Sequence, residues 1–417
     1  MTHAHPLAQT PQFDVLIAGG GPVGACAAAL LASASPASAA RIRVGLLEPN
    51  RPAAPVAGAP IDLRVSAFSR ASERILSATG AWGRLDAARI SPYERMRVWH
   101  EMSAPRSPDA LTFDAADLGE PNLGYIIENR PVQLSLLDSF EASGGRVIAA
   151  EVAALAVQDE CVQVTTADTV LTTRLLIGAD GARSRVREAV GITADTASYS
   201  QQAIVAVVAT EQPHERCAWQ RFLARGTLAF LPLADGASSI VWSLDERAAL
   251  AQMEASPQEF EAELQRDSDG VLGTVRLASE RLALPLQRLA AHHYAAHRVA
   301  LLGDAAHVVH PLAGQGVNLG LLDAAALAEL VLAAHAEGED PGAQQVLRRY
   351  ERWRKSDAYF MGTAIDLFNR FLAHGSGPLA RVAQRGLTWV NRSEEIKRFF
   401  MMRALGTRGE LPRVARG

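Results

Sequence analysis

At 417 residues the chain is too long for one small core, and 48% hydrophobic with 21% charged residues is a globular balance rather than a disordered or membrane-integral one. A formal net charge of −4 excludes general attraction to nucleic acid. The charge is uneven, however: Arg381 to Gly417 holds nine Lys/Arg against three Asp/Glu, leaving +6 there and −10 on the remainder. Cys26, Cys161 and Cys217 are odd in number and far apart, with no C-x-x-C, which predicts reduced thiols and a cytoplasmic setting and speaks against structural zinc.

Residues 1–12 read as a polar tail. "FDVLIAGGGPVGACAAALLA" then gives a short apolar strand, a glycine turn and an Ala/Leu helix, the opening of a βαβ unit. The run Val15–Ala40 is uncharged, but its glycines, Pro36 and the missing basic flank argue against a signal peptide or a membrane span. Gly19-x-Gly21-x-x-Gly24 stands where a dinucleotide fingerprint must: Gly19 permits the tight turn, Gly21 admits a pyrophosphate, and Gly24 lets helix and strand pack closely. The next strand, "IRVGLLE", ends on Glu48, placed to accept from an adenosine ribose; this element does not separate NAD from FAD.

A Pro/Ala loop leads to a short extended entry at Asp62 and a helix running to about Trp82. Extended pieces fill Arg95–Ile127, and "ENRPVQLSLLDSF" starts another helix. "RLLIGADG" is a buried strand running into a turn, where Asp180 and Gly181 are followed by Ser184 and Arg187; taken alone, Asp180 is equally a helix cap. Strand signals dominate Ser200–Leu286, with a hairpin turn at Asp235-Gly236 and a helical insert at about Glu246–Asp267. "HRVALLGD" is a third apolar strand ending on Asp304.

The 18 residues between Asp304 and Asp323 contain no Lys, Arg, Asp or Glu, yet are rich in Gly, Pro, His, Gln and Asn. Such a segment suits a flat, largely apolar ring. Glycines bring bare backbone close to it, and a helix beginning near Val317 aims its positive end there. Amides near Gly316–Asn318 would stabilise negative charge on a reduced ring edge. The pattern predicts a mixed α/β nucleotide domain in discontinuous pieces, with a sheet-rich domain inserted between them.

Together "GGGPVG", "GADGARSRVR" and "GDAAHVVHPLAGQGVNLGLLD" resemble the FAD-dependent aromatic hydroxylases typified by p-hydroxybenzoate hydroxylase. The third segment, with "DLRVSAFSRAS", "YERMRVW" and "NLGYIIEN", is more narrowly similar to the ubiquinone-biosynthesis hydroxylases of the UbiH type. The resemblance implies an α/β fold: a Rossmann-like FAD-binding domain (13–90, 128–195 and 296–335), a sheet-rich substrate domain (91–127 and 196–295) and a helical C-terminal region (336–417). It implies FAD contacts at Gly19, Gly21, Gly24 and Glu48, with Arg64 near the flavin and Arg130 and Gln133 toward the ribityl side. Asp180 and Gly181 match a motif for FAD and NAD(P)H, Asp304 the ribityl-binding aspartate, and Pro311, Gly314, Gln315, Gly316, Val317 and Asn318 the loop beside the ring.

The implied reaction is NAD(P)H-dependent, O2-consuming hydroxylation of a polyprenylphenol on the way to ubiquinone. No protein nucleophile is required, because the flavin supplies the chemistry. So lipophilic a substrate implies contact with the membrane's inner face, for which the basic, apolar stretch Ile365–Leu405 is the candidate, or membership of a ubiquinone-synthesis complex. A flavin-dependent isoprenoid reductase, a hydroxylase of another aromatic substrate and a non-catalytic member of a quinone-synthesis complex are the alternatives, the last disfavoured by intact glycine motifs. His293 and His297 share i, i+4 spacing, but no Cys or Glu completes a metal set; His307 and His310 are read as shaping the flavin pocket. Cys217 is a candidate reactive thiol, and no G-x-S-x-G elbow is present.

Overall fold

The computed structural model describes residues 11–33, 41–56, 58–310, 314–373, 393–406 and 409–416. Its first sheet is built on β1 (Phe13–Ala18), whose six residues are all buried. β1 lies parallel to β2 (Val44–Leu47) on one side and to β11 (Val170–Gly178) on the other. A strand buried on both faces needs layers packed against it, and a group of helices supplies one of them. α1 (Pro22–Ser33) packs against α3 (Asn129–Ala142) and α7 (Gln315–Ala336). β8 (Arg146–Ile148) extends the parallel sheet beyond β2, and β19 (Val299–Leu301) extends it beyond β11.

The second sheet has nine strands: β20 (His307–Val308), β17 (Leu282–Ala291), β12, β15, β14, β13, β5 and β6 (Leu111–Asp114) follow one another across it, and β16 (Val275–Leu277) pairs with β12. Its middle is a meander of β13 (Cys217–Leu223), β14 (Gly226–Pro232) and β15 (Ser238–Asp245), with β12 (Ala194–Thr210) pairing antiparallel to β15. The predicted hairpin turn is present between β14 and β15, with Gly236 at φ +89°. β5 (Arg95–His100) enters from a distant part of the chain and pairs parallel to β13. One face is closed by the predicted helical insert, α5 (Glu246–Glu254) and α6 (Pro257–Asp267), over a core of Trp99, Trp242 and Phe260. The other face opens toward the first sheet. A small third sheet, β3 (Val65–Ser69), β4 (Ser91–Tyr93) and β7 (Gly124–Glu128), lies alongside.

α7 begins at Gln315, two residues ahead of the sequence expectation, because Gly314 adopts φ +62° and starts the first turn early. It is the one described helix long and apolar enough to span a bilayer, but 78% of its apolar window is buried, which marks a core helix. Next comes α8 (Gln344–Ala373).

What joins these helices to the site is a buried cluster of charges around Asp323, which is 0% exposed. One carboxylate oxygen accepts from Arg354 Nε (2.8 Å) on α8; the other meets His307 Nε2 (2.6 Å) and accepts from Gly303 N (3.2 Å). Arg354, also 0% exposed, donates in addition to Asp357 (2.9 Å). Burial by itself would raise the Asp323 carboxyl, yet the charges and hydrogen bonds of His307 and Arg354 win and hold it below the usual carboxylate range.

Removing one partner from such a cluster strands the other charge. Arg354→Met should therefore destabilise the fold by about 3–5 kcal/mol in chemical denaturation at pH 7. Because the folded carboxyl is the stronger acid, its contribution is complete above an unfolded value near ~3.9 and is lost as pH falls through the lower folded value. The stability gap between wild type and Arg354→Met should thus hold from pH 7 to 5 and shrink in more acid solution.

Candidate active site

The glycine turn after β1 is shaped by close approaches. Gly19 sits at φ +101°, and a Cβ there would lie 2.4 Å from Ala179 O; one on Gly24 would lie 1.9 Å from Gly19 O. Gly20 donates its N–H to Glu48 Oε2 (2.8 Å), and its carbonyl accepts from Gln133 Nε2 (2.9 Å). Glu48 also accepts from Asn50 N (2.9 Å), so the acid at the end of β2 holds the turn itself. Sequence reasoning passed over Gly20; the unbroken Gly-Gly-Gly run was its signal. At Gly21 a Cβ would meet nothing within 4 Å, and α1 has no acidic residue in its first turn. An open space facing a helix N-terminus free of carboxylates suits a pyrophosphate.

In the second segment Asp180 accepts from Ser184 Oγ and from Val186 N (3.1 Å), while Ser184 Oγ caps α4 (Arg185–Ala189) through Arg187 N (2.9 Å). Both Asp180 oxygens are thus engaged in shaping the turn, as the capping reading has it. Gly181, at φ +84°, leaves open space beside it. Arg187, given no role by sequence, spans two motifs by donating to Ala182 O (2.8 Å) and Ala305 O (2.9 Å).

The third segment closes the cleft. Asp304 is open to solvent on a floor ringed by protein; partial desolvation raises its carboxyl, opposed by His307 and Arg64. A carboxylate in that setting gains from hydroxyl donors. Asn318 is buried: its Oδ1 accepts from Ser69 N (2.9 Å) and Ser72 Oγ (2.7 Å), and its Nδ2 donates to Ala67 O (2.7 Å) and Gly314 O (2.9 Å). The side chain therefore fastens the loop to β3 and α2 (Arg70–Ala78), leaving its backbone for a ligand. At Gly316 a Cβ would meet nothing within 4 Å, and the α7 N-terminus has neither an acidic residue nor a side-chain cap. Gln315 opens α7 and Val317 faces the cleft. Pro311 lies outside the described residues.

Arg64 lines the cleft and pulls on Asp304, whereas Arg130 is half exposed and pairs with Asp62 (3.4 Å). Of the α3 pair, then, Gln133 reaches the glycine turn and Arg130 faces away to Asp62. His293 and His297 sit on no common helix: His293 meets Glu351 (3.1 Å) and His297 the Asp159 carbonyl (3.2 Å). The Cys217 thiol is buried and pushed up to about 11 by desolvation, which removes it as a nucleophile near neutral pH.

The family described as FAD binding domain matches residues 135–360. Ubiquinone hydroxylase UbiL of Rhodospirillum rubrum is 38% identical over 97% of this chain and 92% of its own length. The 3-demethoxyubiquinol 3-hydroxylase of Escherichia coli is 35% identical over 94% and 98%. The chain belongs to the ubiquinone-biosynthesis hydroxylase family of FAD-dependent monooxygenases. The crystal structure of p-nitrophenol 4-monooxygenase PnpA from Pseudomonas putida shares the fold, at TM-score 0.75 and 20% identity over 95% of this chain and 99% of that one.

In this family member Arg64, Asp304, Gly314, Gly316 and Val317 line one cleft, and a separate open space lies at Gly21 ahead of α1. Beyond Gly316 the cleft widens into a chamber of about 420 Å³ between the open face of the nine-stranded sheet and the loop before α7. Its only charged lining residues among those described are Arg64 and Asp304, both at the cleft end.

Gly21→Ala and Gly316→Ala test whether the open spaces belong to the cofactor. Neither new methyl meets protein, so the apo-protein should keep its melting temperature. FAD affinity measured by fluorescence titration should nonetheless fall by at least about tenfold. Gly24→Ala, by contrast, should lower both.

Proposed function

We propose that this enzyme hydroxylates the ring of an uncharged polyprenylated phenol in ubiquinone biosynthesis. NAD(P)H donates two electrons, dioxygen supplies one oxygen atom to the product, and the other leaves as water. The relatives' names support the pathway, and one observation supports the substrate class. The chamber has no cation or carboxylate away from its flavin end, so a substrate bearing a carboxylate would be desolvated there without a counter-charge. Val205, Leu231, Val241 and Leu284 instead offer apolar surface to a prenylated ring.

When bound, FAD supplies the oxygen-activating chemistry. The protein's contribution is to orient the two rings, to exclude water and to present amides at the α7 N-terminus where negative charge gathers. The test is purified, FAD-loaded protein with NAD(P)H, a short-chain 2-prenylphenol and ¹⁸O2. Product carrying one ¹⁸O atom is expected; hydroxylated product labelled only from water would end the reading.

Peripheral membrane contact through the basic C-terminal region is part of the same proposal. Much of Ile365–Leu405 lies outside the described residues, but α9 (Glu394–Ala404) is described. Its Met401 and the following Leu405 turn inward against Ala115 and Leu123, Lys397 pairs with Asp117 (2.6 Å), and Arg398 is exposed. The region's excess of cations, more than its apolar residues, is therefore the membrane-seeking feature. Vesicles rich in anionic lipid should co-sediment the enzyme at low salt and release it in ~0.5 M NaCl, since that concentration shortens the screening length severalfold. Binding insensitive to salt and to lipid charge would exclude this contact.

A further inference from the structure

Residues at alternate positions of β15 face opposite sides of the nine-stranded sheet. Ile240 and Trp242 enter the closed core beneath α5 and α6, while Ser239, Val241 and Ser243 line the chamber. Ser239 is 0% exposed, and its Oγ has no hydrogen-bond partner. Its cross-strand neighbours are Leu231 and Val207, both in an apolar cluster with Ala67 and Ile126. In such company a valine would pack better and strand no polar atom, since a buried hydroxyl without a partner costs roughly 1–3 kcal/mol. Ala67 touches Gly314, so this end of the chamber adjoins the loop that flanks the ring site.

A second hydroxyl reaches the same end. Tyr93, at the end of β4, packs on this cluster and lines the chamber. No described residue hydrogen-bonds its phenol, which burial alone pushes up to about 12, so it is a neutral donor at any working pH.

We propose that Ser239 and Tyr93 are specificity-determining residues, whose hydroxyls hydrogen-bond the ring oxygens of the phenolic substrate and so choose which ring carbon faces the flavin. This rests on the phenol-hydroxylating function proposed above. The chamber lining also includes Gln220, Thr227, Ser243 and Gln287, but the neighbours of Ser239 itself are apolar, so a ring held beside them finds few other polar contacts to fix its rotation. Two fixed hydroxyls beside the ring site remove that freedom, and rejecting a ring without oxygens follows because both would then stay unpaired.

Ser238 provides the control. Its Oγ is equally buried and unpartnered, but it stands on the core side of β15, away from the chamber. The experiment titrates FAD-loaded enzyme with a short-chain 2-prenylphenol and with the matching prenylbenzene, reading the flavin absorbance change. Wild type should prefer the phenol by about tenfold. Ser239→Ala and Tyr93→Phe should each reduce that preference and together bring it within about twofold. Ser238→Ala should leave it unchanged, with FAD content and melting temperature preserved throughout. In turnover, the double variant should divert NAD(P)H oxidation from hydroxylated product to hydrogen peroxide. Undiminished preference in the single and double variants overturns this inference alone. A wild-type flavin spectrum that answers to neither compound overturns it together with the function on which it rests.

Discussion

One buried carboxylate ties the architecture to the site. Asp323 sits in the middle of α7, where it gathers Arg354 from α8, His307 from the short strand after Asp304, and the backbone of Gly303. A carboxylate that has lost its water must be met by donors from several directions, and here those donors come from two separate segments, 303–307 and α8. Their convergence fixes the distance between the strand end bearing Asp304 and the first turn of α7. Tyr350 reinforces the arrangement by donating to Leu301 O (2.7 Å). Tyr294 stacks on His307, with ring centroids 5.7 Å apart.

Around this anchor the cleft is built with few free charges. The α7 N-terminus opens onto it, and neither α7 nor α1 has an acidic residue in its first turn, so their amide dipoles are available to a ligand. Arg187 might be read from its charge as a ligand contact. Instead it donates to two carbonyls and sets the spacing between the second and third motifs. The chamber continues the same economy of charge, with apolar surface and a few hydroxyls in place of ion pairs.

Much of the fold was legible in the sequence because local patterns carried it. β1, β11 and β19 each end in an apolar, fully buried run that leads into a glycine turn, and only a strand end buried on both faces makes sense of them. The hairpin at Asp235-Gly236 followed from turn chemistry, and the helical insert stood out as a break in the strand signals. The site was legible where glycine was demanded by close approach, as at Gly19 and Gly24. It was less legible where a side chain's role depends on who faces it. Asn318 and Asp180 spend their polar atoms on the protein itself, and neither fact is encoded in the spacing of the motif. Ser239 and Arg354 carried no signal at all, since a serine in a strand or an arginine in a helix has no meaning until its surroundings are known, and Tyr93 stood only as the first residue of a segment that carries the family resemblance.

By itself, then, the sequence determined the kinds of element, their order along the chain and the three places where backbone must come close to something flat or anionic. These are properties of neighbouring residues: hydrophobic period, glycine at positive φ, and caps at helix ends. Only the tertiary structure decided that β5 inserts beside β13, that Asp323 is a buried ion-pair centre, and that Arg64 and Asp304 are the only charged residues lining the chamber among those described. Each of those outcomes rests on desolvation and pairing between residues up to hundreds of positions apart, and burial is a quantity no short stretch of sequence contains.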